Sequence, residues 1–130
     1  MDALKLVAGE APVADARGLS LSPAGAEAAL RAAGWLVLRA DCAGMEGRDA
    51  LFSAFAAALG RDYFASNWDA FADALVSLAY DEPSAAGYVL VMESYASLPA
   101  GPAVMFEESV KDAAASLMSG HGKALRALLF

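Results

Sequence analysis

Tyr88-Val89-Leu90-Val91-Met92 is an unbroken apolar run of strand-favouring residues, preceded by the turn-forming Asp81-Glu82-Pro83-Ser84 and by Gly87. A strand covered on only one face alternates apolar and polar residues, whereas one covered on both faces reads as a continuous run, as in a parallel sheet. Trp35-Leu36-Val37-Leu38-Arg39-Ala40 is a second short run of this kind, set between Gly34 and the turn-rich segment 41–47. A third strand is expected at 124–130. Between these runs lie helical patterns. Residues 48–59 place Leu51, Phe52, Phe55 and Leu59 on one face and end at Gly60, a second helix is expected over 67–78, and a third over 104–118, closed by Gly120 and Gly122. Strands separated by helices give an α/β class with a three-stranded parallel sheet and right-handed helical crossovers, which puts the helices of both connections on one face if the strands lie in chain order.

Residues 1–33 read as an N-terminal extension on the same domain, and 34–130 as the main unit. The extension has weak periodicity, with a short strand expected at 4–8. Ser22 supplies an N-cap, Pro23 a first-turn proline and Gly34 a left-handed C-terminal stop for a short helix over 24–33 that would shield the remaining sheet surface.

At 130 residues the chain is long enough for one domain with its own core. No apolar run approaches the roughly 20 residues of a membrane span. Residues 1–10 lack the basic start, apolar run and cleavage site of a secretory signal, so a cytoplasmic location is expected. Cys42 is the single cysteine and His121 the single histidine, which leaves no internal disulfide and no soft ligand set for zinc. No metal or cofactor is expected.

The formal charge of -7 is unevenly spread. From Asp62 through Glu108 there is no lysine or arginine, while Asp62, Asp69, Asp73, Asp81, Glu82, Glu93, Glu107 and Glu108 all fall in that interval. Such a middle repels the phosphates of DNA or RNA and attracts a basic protein. Catalytic patterns are weak. His121 lies in a Ser-Gly-His-Gly stretch that reads as a solvated helix end, no Gly-x-Gly-x-x-Gly follows a strand, and no Gly-Lys-Ser/Thr loop is present. The chain reads as a non-enzyme.

The informative stretch is 62–78. At 100° per residue Trp68, Phe71, Ala72, Leu75 and Leu78 form one apolar stripe, and Trp68 reads as core because it opens that stripe. Asp69 and Asp73, four apart, share the opposite side, where like charges cost about 0.2–0.5 kcal/mol and no basic neighbour offsets them. Two readings of Asp69 stay open. It lies near a helix N-terminus, where the dipole favours an anion and Ser66 makes a capping-box-like pair with it, or it faces a partner. Asp73 lies beyond the first turn, out of reach of that dipole. Glu107 and Lys111 are spaced for a structural i,i+4 pair.

Tyr63-Phe64-Ala65-Ser66-Asn67-Trp68-Asp69-Ala70-Phe71-Ala72-Asp73-Ala74-Leu75 resembles the signature of the barstar family, which runs aromatic-aromatic-Gly-x-Asn-(Trp or Leu)-Asp-Ala-Leu-x-Asp-Cys-Leu. The order of elements over 34–130 is similar as well. The resemblance implies a barstar-like fold and an inhibitor, of antitoxin or immunity type, that blocks the active site of a basic ribonuclease, barnase-like or a toxin nuclease. It implies that the motif helix and the loop before it present acidic side chains as phosphate mimics. By position, Asp73 would meet the cationic groups that hold the scissile phosphate, Asp69 would pair with a flanking basic group, and Tyr63 and Asn67 would line the contact. Ala65 replaces the family's glycine, and Ala72 and Ala74 stand where a tryptophan and a cysteine are usual, so the target can differ from barnase. The alternative is a non-inhibitory interaction module that binds a basic partner protein.

Overall fold

The run at 88–92 lies inside strand β3 (Gly87–Glu93) of a computed structural model that describes residues 2–130. The other elements are α1 (Ala3–Ala8), β1 (Val13–Asp15), α2 (Pro23–Ala32), β2 (Leu36–Asp41), α3 (Arg48–Ala58), α4 (Trp68–Asp81), a 3-10 turn (Tyr95–Ser97), α5 (Ala100–His121) and β4 (Ala124–Leu129). All strand pairs are parallel, in the order β1-β4-β3-β2. β3 is buried from Gly87 through Met92 because helices cover both faces of the sheet.

The larger core lies on one face. Leu38 and Ala40 of β2, Tyr88, Leu90 and Met92 of β3, and Leu125, Ala127 and Leu129 of β4 meet α3, α4 and α5 there. Helices of both connections therefore share that face, as the chain order of β2, β3 and β4 leads one to expect. On the other face Val37, Val89, Val91 and Leu128 are covered by Ala3 and Val7 of α1 and by Ala26 and Leu30 of α2. An ion cluster sits beside that second core: Arg39 on β2 bonds Glu93 at 2.8 Å and Glu27 of α2 at 3.2 Å, and Arg31 bonds Glu27 at 2.9 Å. Hydrogen bonds that Arg39 donates to these two carboxylates, Glu93 foremost, hold its proton more firmly than water does.

The sheet has four strands, not three. The added edge strand β1 is only three residues long, and the chain on either side extends its pairing: Ala127 N donates to the Pro12 carbonyl (2.7 Å) and Ala16 N to the Leu129 carbonyl (2.8 Å). Residues 4–8, expected as a strand, belong to helix α1. Asp2 caps that helix by accepting from Lys5 N at 2.9 Å, and Ala3 and Val7, one turn apart, both bury against α2, so the helical period wins. Helix α5 begins at Ala100, earlier than expected, because Pro102 falls in the first turn, where a missing N–H costs nothing. It runs through Gly120 and His121 to the left-handed Gly122 (φ 64°). Gly87 is required by close approach, since a Cβ there would lie 2.5 Å from a ring carbon of Trp35.

Candidate functional site

The connection from α3 to α4 sorts its aromatic pair to opposite sides. Gly60 ends α3 at φ 68°, and Arg61 N then donates back to the Ala56 carbonyl at 2.9 Å. Phe64 turns inward, with ring centroids 5.9 Å from Phe55 and 5.7 Å from Phe71. Tyr63 turns outward and is 62% exposed, so the side chain carried over as a contact is available to a partner. Ala65 is buried, and Ser94 alone among the described non-glycine residues has a positive φ, so alanine at the family's glycine position carries no left-handed strain.

Asn67 starts α4. Its backbone is extended (φ -151°, ψ 174°), its Oδ1 accepts from Ala70 N at 2.7 Å and its carbonyl accepts from Phe71 N at 2.9 Å. The cap is thus Asn67 bonding Ala70, in place of the expected Ser66 pair with Asp69. Asn67 is exposed as well as capping, so its side chain is held at the surface in one orientation.

From this start the helix turns its apolar stripe inward. Phe71, Leu75 and Leu78 are fully buried; Phe71 stacks on Phe52 (5.0 Å) and Phe55 (5.6 Å). Trp68 is half-buried with its ring edge-on to Phe52 (5.0 Å) and Phe71 (5.6 Å), a core role as the stripe indicated. Asp69 and Asp73 lie on the outer side, both exposed, and neither forms an ion pair among the described residues. Tyr80, two residues beyond the expected helix end, is also exposed, and its ring meets that of His121 edge to face at 5.0 Å.

Most of the cations are occupied elsewhere. Arg17 bonds Asp15 at 2.9 Å, and Arg61 bonds Asp81 at 3.0 Å. Lys123 donates to the carbonyls of Pro83 (3.1 Å) and Ala85 (2.6 Å), and Arg126 to those of Val7 (3.2 Å) and Gly9 (3.0 Å). The Asp69 and Asp73 carboxylates therefore face solvent without an ion pair among the described residues. Between α3 and the loop before α4 lies an open cleft of about 390 Å³ lined by Arg48, Asp49, Ser53, Asp62 and Tyr63 among others.

The single thiol and the single imidazole are poorly placed for catalysis. Cys42 is buried, and burial pushes its thiol up to about 11, which suppresses the nucleophilic thiolate at neutral pH. His121 is the last residue of α5 and packs on Tyr80; no hydrogen bond joins it to a hydroxyl, thiol or carboxylate among the described residues. No cluster of metal-ligating residues occurs among the described residues, and no helix there is long and apolar enough to cross a membrane. Glu107 is structural through a different partner than expected: it accepts from the buried Tyr95 hydroxyl at 2.8 Å, not from Lys111. Burial, followed by that bond, raises the Tyr95 hydroxyl well above its ordinary pKa.

A family model described as Barstar (barnase inhibitor) matches residues 35–128. No curated protein and no solved structure matches the chain.

Proposed function

Because the chain belongs to the barstar family, we propose that it is an inhibitor of a basic ribonuclease, barnase-like or a toxin nuclease, and that α4 with its preceding loop fills the nuclease active site. The observation that carries this reading is the pair of exposed carboxylates, Asp69 and Asp73, one turn apart and without an ion pair among the described residues. A ribonuclease cleft holds fixed cationic donors for the phosphates of its substrate. A carboxylate that accepts several charge-assisted hydrogen bonds from such donors satisfies them as a phosphate does. Asp73, in the middle of the exposed face, takes the central cationic cluster; Asp69 pairs with a flanking basic group; Tyr63 and Asn67 line the contact on the N-terminal side.

Preorganisation supports the same reading. The Asn67 cap and the aromatic packing beneath Phe71 fix the helix before any partner arrives, so little conformational entropy remains to be lost on association. The like-charge spacing of Asp69 and Asp73 costs the free protein about 0.2–0.5 kcal/mol. Contact with cations removes that repulsion.

A second reading, a module that binds a basic protein lacking nuclease activity, draws on Ala65, Ala72 and Ala74, where the chain departs from the family's usual residues. Titrating the purified protein into a panel of basic ribonucleases separates the two. Stoichiometric loss of RNA cleavage is expected for at least one of them. Full activity throughout, while a control inhibitor works, removes the inhibitory role.

A further inference from the structure

We infer that the partner-facing surface runs the full length of α4 to Tyr80, and that this ring receives an arginine or lysine side chain from the rim of the same basic partner; the inference rests on the nuclease-inhibitor reading above. Three observations converge on it. The first is angular. Relative to Asp69, Asp73 lies at 40° around the helix and Tyr80 at 20°, from 100° per residue, so the tyrosine projects from the same stripe as the two carboxylates. The second is exposure. Tyr80 is 73% exposed, more than any other large apolar or aromatic side chain among the described residues. The third is reach. Tyr80 stands about 10 Å along the axis from Asp73 at 1.5 Å per residue. A protein interface of ordinary size buries about 800 Å² on each partner, which corresponds to a patch of roughly 16 Å radius. A nuclease centred on Asp73 therefore covers Tyr80.

The chemistry of the site favours a cation over an apolar group. Asp81 is already paired with Arg61 at 3.0 Å, while Glu82, exposed at the helix C-cap and outside every ion pair among the described residues, adds negative charge beside the ring. His121 braces the tyrosine from α5 at 5.0 Å with the two planes at 85°, which limits how much side-chain freedom is lost on contact. A guanidinium or ammonium over a tyrosine face is attracted by the negative face of the ring, more strongly as water is excluded. Tyr63 occupies the opposite end, so the acidic stripe is bracketed by two exposed tyrosines.

The test compares inhibition constants of Tyr80→Ala, Tyr80→Phe, Tyr80→Lys and Asp73→Ala against a panel of barnase-type ribonucleases at one fixed salt concentration. Tyr80→Ala is expected to weaken inhibition about tenfold, and Tyr80→Phe, which keeps the ring face, to stay within about twofold. Tyr80→Lys should weaken it further through like-charge contact. Thermal midpoints should be unchanged, because the ring lies outside the core. Inhibition that is lost in Asp73→Ala but intact in both Tyr80→Ala and Tyr80→Lys overturns this inference alone. Failure of Tyr80→Phe to the same degree as Tyr80→Ala assigns the effect to the hydroxyl and also overturns it. No inhibition by the unmodified chain overturns the nuclease reading, and this inference falls with it.

Discussion

Asp73 and Phe71 sit two positions apart on one helix and answer to different forces. Phe71 is fully buried among Phe52, Phe55, Phe64 and Phe106, and removing its ring leaves a cavity that this crowded cluster can only partly close. Phe71→Ala should therefore destabilise the protein by about 3–5 kcal/mol in denaturant titration. The Asp73 carboxylate forms no ion pair among the described residues, and its backbone carbonyl accepts from Ser77 Oγ at 3.0 Å. Asp73→Ala keeps that bond and relieves a repulsion with Asp69, so its unfolding midpoint should stay level or rise by a few tenths of a kcal/mol while inhibition is lost. Equal stability losses in the two variants would take Asp73 out of the interface.

At the level of elements, strands β2, β3 and β4 were legible because each is covered on both faces and so writes a run without alternation. Helices α3 and α4 were legible from their apolar spacing and from Gly60. What stayed hidden was short or shared. β1 spans three residues, too few for any period to show, and α1 buries only Ala3 and Val7, so its Leu-Lys-Leu-Val-Ala core reads as well in one period as in the other. The carboxylate pair could be found from the stripe, yet Tyr80 could not, because the pattern of apolar residues stops at Leu78 while the helix continues to Asp81, where Arg61 holds its last turn. The cap was also ambiguous: Ser66 and Asn67 are both good caps by type, and only the backbone decides which one stands at the boundary. That decision is testable. Asn67→Ala should cost about 1 kcal/mol of stability and Asn67→Ser much less, since a hydroxyl can still accept from Ala70 N. Ser66→Ala should leave the unfolding midpoint where it was, and a loss equal to that of Asn67→Ala would put the cap at Ser66.

Taken whole, the molecule engages most of its cations in bonds within the fold and leaves one acidic helix face open. Arg17, Arg31, Arg39 and Arg61 are each bonded to carboxylates, and Arg126 and Lys123 to backbone carbonyls, so little mobile positive charge remains to screen Asp69 and Asp73. With a formal charge of -7, the protein presents to a basic partner a field that acts before contact. That field decays over about 10 Å at 0.1 M salt and about 3 Å at 1 M. Salt should therefore act mainly on encounter. Stopped-flow association with an inhibited nuclease is expected to slow by roughly tenfold or more from 50 mM to 500 mM salt, while dissociation, governed by the desolvated contacts at the centre of the interface, changes little. Asp69→Asn should flatten this dependence without abolishing binding, because it removes a steering charge at the flank and leaves the Asp73 contact in place. An association rate indifferent to salt would show that the open face does not guide the encounter, and the acidic stripe would then owe its composition to solubility alone.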